Sequence, residues 1–117
     1  MNVVLVFLGG GVGAALRWWM SSSIQSDFFP YGTLSVNLLG CFLIGILSVS
    51  LFENPKLGLL LITGFLGGFT TFSSFGLDAF ELLQGKAYKT FFTYVLSSNL
   101  LGILLVMVGH KLGSVFA

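Results

Sequence analysis

The residues best suited to chemistry lie in one uncharged stretch of the chain, GFLGGFTTFSSF at positions 64–75. The glycines at 67–68 and the β-branched threonines at 70–71 both weaken an α-helix. Within hydrocarbon, backbone that leaves the helix typically lines a cavity or binds an ion, because its freed polar groups need partners. The alternative is a continuous helix in which the glycine pair only allows close packing.

Two phenylalanines follow the threonines. Phe72 and Phe75 are three positions apart, which places them on one helical face, and Ser73 and Ser74 lie between them. A phenyl ring is electropositive at its edge, so such a pair, with nearby hydroxyl donors, suits a small unhydrated anion. The chain has 13 phenylalanines, and ordinary packing is therefore the competing interpretation.

A polar stripe is predicted in the second apolar stretch, where four side chains recur at helical offsets: Thr33, Asn37, Cys41 and Ser48. A primary amide in hydrocarbon is costly unless its donors and acceptor are matched. Asn37 therefore either joins helices or lines a pathway. Tyr94 and Ser97, with Thr90, form a second candidate stripe that faces the first.

Charged residues are few, and they favour helix ends. Arg17 precedes Trp18 and Trp19, so its guanidinium either reaches the headgroups or has a functional role. An interfacial charge cluster is predicted after the third apolar stretch, from Asp78, Glu81, Lys86 and Lys89. One histidine and one cysteine cannot form a zinc site, and no catalytic triad or phosphate-binding motif occurs. We expect no enzyme.

The elements that position these residues must be membrane helices. Of the 117 residues, 56% are hydrophobic and only 8% are charged. Four uncharged stretches are each of about the length that spans a bilayer, which predicts an all-α membrane protein with one domain over 1–117. The stretches are 1–16, 28–52, 57–77 and 90–110. With a net charge of +1, the chain has no basic patch that would bind nucleic acid.

The distribution of basic residues leaves the orientation in the membrane undecided. Short connections predict helices that alternate in direction, with Arg17, Lys86 and Lys89 on one side and Lys56 and Lys111 on the other. Three basic residues on one side against two on the other barely specify an orientation under the positive-inside rule. A chain that inserts both ways can assemble as an antiparallel, dual-topology homodimer.

Three motifs occur in order along nearly the whole chain, and together they resemble the Fluc/CrcB family of fluoride channels. They are GGGVGAALRW at 9–18, GTLSVNLLG at 32–40 and GGFTTFSSF at 67–75, with a weaker NLLG at 99–102. The resemblance implies a fluoride-specific channel in the bacterial inner membrane, which lowers cytoplasmic fluoride by passive export. It also implies an antiparallel homodimer with two pores. A third helix broken near mid-membrane is what the glycine and threonine pairs themselves predict.

Roles for single residues also follow from the resemblance. It implies a structural, untransported sodium ion held by the backbone carbonyls of Gly67 and Thr70. The fluoride pore would be lined by Asn37, Phe72, Phe75, Ser73 and Ser74, and Arg17 would serve the vestibule or the structure. A small proton-coupled multidrug exporter is the alternative function, although its expected carboxylate is missing from the first apolar stretch.

Overall fold

The structure is a computed structural model that describes residues 1–116, and every regular element in that range is helical. Four segments are long and apolar enough to cross a membrane, as predicted: Asn2–Ser23, Tyr31–Ser50, Pro55–Gln84 and Tyr88–Phe116. The first two are α1 and α2, and Pro55–Gln84 is called the third span below. That a single channel domain occupies 1–117 stays a prediction, and Ala117 lies outside the described residues.

The third span is divided into four segments. A short α3 (Pro55–Gly58) begins at Asn54, whose side chain accepts a hydrogen bond from the amide of Leu57 at 3.2 Å. A π-helical segment, Leu59–Leu66, comes next, then α4 (Gly67–Phe69) and α5 (Phe72–Gln84). The π-helical turns have no signal in the sequence. The last span is α6, Tyr88–Phe116.

Extended backbone separates α4 from α5 at Thr70 and Thr71. Thr70 has φ −86° and ψ 159°, and Thr71 has φ −150° and ψ 116°. The two threonines lie near the middle of the third span, directly after the glycine pair. The hydroxyl of Thr71 starts α5 by accepting a hydrogen bond from the amide of Ser74 at 3.1 Å.

Glycines bring the helix backbones together in two pairs. A Cβ on Gly9 or Gly13 of α1 would collide with backbone of the third span at Leu60 and Phe65. In the same way a Cβ on Gly45 of α2 would collide with the carbonyl of Val106 in α6. Residue numbers rise together along both contacts, so α1 runs parallel to the third span and α2 parallel to α6. Small residues are the usual means of such packing in membranes.

The buried apolar core is small and lies around the interrupted helix. Val36, Leu66 and Phe69 form its centre. Many large apolar side chains, such as Phe7, Trp19 and Leu100, are instead exposed on the outside of the bundle. An apolar exterior of this kind is suited to lipid or to another membrane subunit.

Candidate functional site

Asn37 and Thr71 form a two-point pair across the interruption of the third span. The Nδ2 group of Asn37 donates to the carbonyl of Thr71 at 2.9 Å, and the amide of Thr71 donates to Oδ1 of Asn37 at 2.8 Å. The side chain therefore replaces the helical partners that extended backbone lacks. One Nδ2 hydrogen remains for a further acceptor.

This pairing changes which backbone carbonyls have donors. In a continuous helix the amide of Thr71 would bond to the carbonyl of Gly67, but here it bonds to Asn37. Likewise the amide of Ser74, which would bond to the carbonyl of Thr70, bonds to the hydroxyl of Thr71. The interruption thus diverts both helical donors from the two carbonyls predicted to hold sodium. Gly67 is also exposed, so an ion can reach it. Carbonyl oxygens are neutral, hard ligands, which suit a monovalent cation.

Arg17 reaches the interruption from the other side. Its Nε group donates to the carbonyl of Gly68 at 3.0 Å, and the side chain is half-buried. The sequence left a headgroup role and a functional role open for Arg17. In this structure its guanidinium supports the backbone two positions before Thr70, and α1 continues beyond it to Ser23.

A pocket of about 330 Å³ brings together several of the predicted site residues, and we name it the break pocket. Its lining is Asn37, Gly40, Cys41, Ile44, Ile62, Leu66, Gly67, Thr70, Thr71 and Phe72. Gly40 is needed there, because a Cβ at this position would collide with Cγ2 of Thr70. The lining contains no charged side chain, so the pocket offers amide, hydroxyl and aromatic groups in an otherwise apolar surface.

The two predicted serines lie beside the break pocket but do not line it. The hydroxyl of Ser73 lies 3.4 Å from the hydroxyl of Thr71, and Ser74 meets that same hydroxyl through its backbone amide. Both serines therefore contact the residue that starts α5. Thr71 itself was not among the predicted site residues, although threonine is a favoured residue at the N-terminal cap of a helix.

Three aromatic rings lead away from the break pocket, and we call them the aromatic row. Phe72, which is 83% exposed, lies 5.7 Å from Phe75 between ring centroids, at an interplanar angle of 40°. Phe75 lies 5.0 Å from Tyr94 at 47°. Both predicted phenylalanines therefore join the buried tyrosine of α6 in one continuous set of contacts.

The far end of the aromatic row meets a carboxylate. Tyr94 is completely buried, and its hydroxyl donates to Oδ2 of Asp78 at 3.1 Å. That Asp78 belongs to an interfacial charge cluster stays a prediction; in the structure it lies within α5 and accepts a hydrogen bond from a tyrosine of another helix. The contact joins residues 16 positions apart, and no local sequence pattern indicates it.

Asp78 also lines a second, larger cavity, which we name the polar cleft. It has a volume of about 560 Å³ and lies where the connection between α1 and α2 meets α5. Its polar lining includes Ser21, Gln25, Ser26, Asp27, Thr33 and Glu81. The break pocket, the aromatic row and the polar cleft thus follow one another through the bundle. Within residues 1–116 no cluster of three or more His, Cys, Asp or Glu side chains could hold a metal.

Comparison with known proteins gives one consistent family. Residues 4–110 match the family described as CrcB-like protein, Camphor Resistance (CrcB). A protein of Helicobacter pylori strain J99, named fluoride-specific ion channel FluC, is 44% identical over 99% of this chain and 97% of its own length. Proteins with the same name from Hydrogenobaculum sp. strain Y04AAS1 and Phocaeicola vulgatus are 46% and 45% identical, over 97% and 92% of this chain and 98% and 94% of their own lengths.

Proposed function

This chain belongs to the CrcB family, and from that premise we propose that it is a fluoride-specific ion channel. The observation that carries the proposal is the break pocket, where the remaining Nδ2 hydrogen of Asn37 and the ring of Phe72 share a lining without charged side chains. An anion that enters it meets amide and aromatic-edge donors and no fixed negative charge. The names of its relatives identify fluoride as that anion.

The transport is passive and directed outward. Hydrogen fluoride crosses membranes as a neutral weak acid and dissociates in the cytoplasm, where the anion accumulates. An inside-negative potential then drives fluoride out through the channel and lowers its cytoplasmic concentration, which confers fluoride resistance. Passive conduction needs no catalytic residue, and the relatives are named as ion channels, so the protein is a channel and not an enzyme.

The proposed path runs along the aromatic row. Fluoride passes from the break pocket past Phe72 and Phe75, with hydroxyl groups of Ser73 and Ser74 beside it. A narrow, dry passage with few donors discriminates by size and by how well it replaces the hydration shell. Fluoride, as the smallest halide, suits such a passage better than chloride does.

We further propose that the working unit is an antiparallel, dual-topology homodimer in the bacterial inner membrane, with the interruption near mid-membrane. The nearly balanced basic residues support insertion in both orientations. The exposure of Gly67 and Phe72 supports a second copy on that face, because the break pocket is open along it. Each copy then contributes one face of a path.

A structural sodium ion is part of the same proposal. The carbonyls of Gly67 and Thr70, whose helical donors bond elsewhere, are the groups that would hold it. A bound sodium ion would supply a fixed positive charge that stabilises the interrupted backbone. The same pair of carbonyls from each copy would provide the ligands.

Proton-coupled drug export is the alternative function, and the site favours it less. Such an exporter needs an intramembrane carboxylate that exchanges protons for a cationic substrate. The carboxylate of Asp78 is bonded to a buried tyrosine at the far end of the aromatic row, away from the break pocket.

Halide efflux from vesicles tests the proposed function directly. Purified protein is reconstituted into liposomes loaded with potassium fluoride or potassium chloride, and valinomycin then lets potassium follow the anion. We expect rapid loss of fluoride and retention of chloride. Equal loss of both halides would contradict selectivity, and loss of neither would contradict conduction. A proton gradient that drives uptake of a cationic dye would instead support the exporter.

A further inference from the structure

A third cavity, of about 660 Å³, lies at the end of α2 that is remote from the polar cleft, and we name it the end cavity. The polar cleft is lined by Tyr31, the first residue of α2, whereas the end cavity is lined by Ser50, the last. The end cavity shares no lining residue with the break pocket or the aromatic row, so the proposed fluoride path does not use it.

Close packing of α2 against α6 forms the end cavity. A Cβ on Gly113 would lie 2.8 Å from the carbonyl of Ile46, so the two backbones are nearly in contact at this level. Directly beyond this contact α2 ends at Ser50 and the chain enters a turn, while α6 continues to Phe116. The cavity is therefore the space that α2 leaves beside the last turns of α6.

The polar groups around the end cavity are mostly hydrogen-bond acceptors. The hydroxyl of Ser48 donates to the carbonyl of Gly45 at 2.8 Å, and the hydroxyl of Ser50 donates to the carbonyl of Ile46 at 3.1 Å. A hydroxyl has one proton, so both oxygens are left with acceptor capacity only. The carboxylate of Glu53 adds two acceptor oxygens to the lining. A ligand that fits this part of the cavity must therefore be a hydrogen-bond donor.

The same part of the cavity favours positive charge. The amide of Phe52 bonds to the carbonyl of Val49 at 3.3 Å, and not to that of Ser48 as a continuing helix would require. The last carbonyls of a helix carry the negative end of its dipole, and the carboxylate of Glu53 adds a full negative charge. Phenyl rings, which attract ammonium groups through their faces, complete the lining at Phe52 and Phe116.

The end cavity lies where a membrane span meets the lipid headgroups. α2 is such a span and ends at Ser50, and the first charged residue after it is Glu53. On the side of α6 the lining is His110, and Lys111 follows it on the exposed surface. Imidazole and ammonium groups are donors that suit a phosphate. The cavity and its edge thus combine a site for a cation with neighbouring donors for a phosphate.

We propose that the end cavity binds the headgroup of a phospholipid with a primary amine, of the phosphatidylethanolamine class. A primary ammonium has three N–H donors, which match the hydroxyl oxygens of Ser48 and Ser50 and the carboxylate of Glu53. The adjoining phosphate lies toward His110 and Lys111. A trimethylammonium group has the same charge but no N–H donor, and a glycerol headgroup has no positive charge. The site therefore selects among lipids by donors and charge together.

Lipid retention, measured by native mass spectrometry on the purified protein in detergent, tests this site. Phosphatidylethanolamine, phosphatidylcholine and phosphatidylglycerol with identical acyl chains are each titrated, and the fraction of protein that keeps one lipid gives an apparent affinity. Glu53→Gln removes the charge of the end cavity and keeps the size of the side chain. Glu81→Gln removes the same charge from the polar cleft and is the matched control.

We expect the parent protein to retain phosphatidylethanolamine in preference to both other lipids. Glu53→Gln should weaken the affinity for this lipid by about fivefold, the upper range for an exposed ion pair, and should leave the other two affinities nearly unchanged. Ser50→Ala removes one acceptor and should weaken the affinity for the same lipid by a smaller factor. Glu81→Gln should match the parent.

Equal retention of the three lipids by the parent would overturn the proposal, and so would equal losses in Glu53→Gln and Glu81→Gln. A preference that persists in both Glu53→Gln and Ser50→Ala would place the lipid elsewhere. Should Glu53→Gln fail to elute as a folded protein, Ser50→Ala decides.

Free ethanolamine separates a lipid from a soluble amine as the occupant. The unfolding temperature of the parent is measured with ethanolamine and with phosphatidylethanolamine at equal concentration, and we expect only the lipid to raise it. An equal rise with both would overturn the lipid assignment. None of these measurements involves fluoride, so their outcome is independent of the proposed function.

Discussion

Asn37 and the backbone of Thr71 are joined by two opposed hydrogen bonds, each shorter than 3.0 Å. The pair resembles one rung of a β-ladder in which a side-chain amide replaces the second strand. It explains how extended backbone persists in the middle of an apolar span, where an unpaired amide or carbonyl would be costly. Asn37 therefore joins helices, one of the two alternatives that the sequence left open, and it also lines the break pocket. That this pocket is part of an anion pathway stays a prediction.

Removal of this amide should impair folding and conduction together. Asn37→Leu leaves both backbone groups of Thr71 without partners, which costs about 1–3 kcal/mol for each buried polar group. We expect a lower unfolding temperature in detergent and loss of fluoride efflux. Asn99→Leu is the matched control, because the amide of Asn99 bonds only to Val95 in its own helix. Parent-like stability in Asn37→Leu with efflux abolished would limit Asn37 to the pathway.

Arg17 provides a second test, because its headgroup and structural roles predict different results. Lysine keeps the charge and the reach to a headgroup, but it lacks the planar Nε donor that bonds to Gly68. We expect Arg17→Lys and Arg17→Gln to lower the unfolding temperature and the efflux to a similar extent. Full function in Arg17→Lys with loss in Arg17→Gln would indicate that only charge matters.

The spans and the interruption follow from local properties of the sequence. Apolar stretches of sufficient length predicted all four membrane segments, and the backbone is extended at the threonine pair that follows the two glycines. Both signals are local, since hydropathy and helix propensity act within a few residues. The predicted ends of the spans were less accurate, because α1 and the third span continue beyond the uncharged stretches to Ser23 and Gln84.

The partners of the polar groups did not follow from the sequence. Asn37 and Thr71 are 34 positions apart, and Arg17 and Gly68 are 51 apart. Such contacts depend on how whole helices pack, and a single sequence contains no record of that. The π-helical segment at Leu59–Leu66 was also missed, because nothing in its composition distinguishes it from an ordinary membrane helix.

Close packing of α1 against the third span can be tested with two neighbouring glycines. A Cβ at Gly13 would collide with the carbonyl of Phe65 and lie 2.9 Å from the amide of Phe69, whereas a Cβ at Gly11 meets nothing within 4 Å. Gly13→Ala should therefore lower the unfolding temperature despite the higher helix propensity of alanine. Gly11→Ala should leave it unchanged or raise it slightly. Equal effects of the two substitutions would contradict the packing described here.

The sodium proposal predicts stabilisation that depends on the cation. A ligand that binds only the folded state raises stability with its concentration, so sodium should raise the unfolding temperature above that in N-methylglucamine at equal ionic strength. Thr70→Ser should keep this response, because it retains the backbone carbonyl and a hydroxyl for the bond to Leu66. An unfolding temperature that is the same in both cations would exclude a structural role for sodium.

The aromatic row gives the most discriminating prediction, because Phe72 and Phe75 differ in burial. Isoleucine keeps bulk and apolarity but removes the ring quadrupole, so either Phe→Ile substitution should lower fluoride efflux if ring edges contact the anion. Phe75 also packs on Tyr94, so Phe75→Ile should lower the unfolding temperature as well. Phe72 is 83% exposed, so Phe72→Ile removes little packing inside the subunit and should leave the unfolding temperature nearly unchanged. Phe7→Ile, on the exposed surface of α1, is the control and should conduct like the parent. Efflux and unfolding measured on the same preparations separate the two effects, and parent-like efflux in both Phe72→Ile and Phe75→Ile would exclude a conduction mechanism based on aromatic edges.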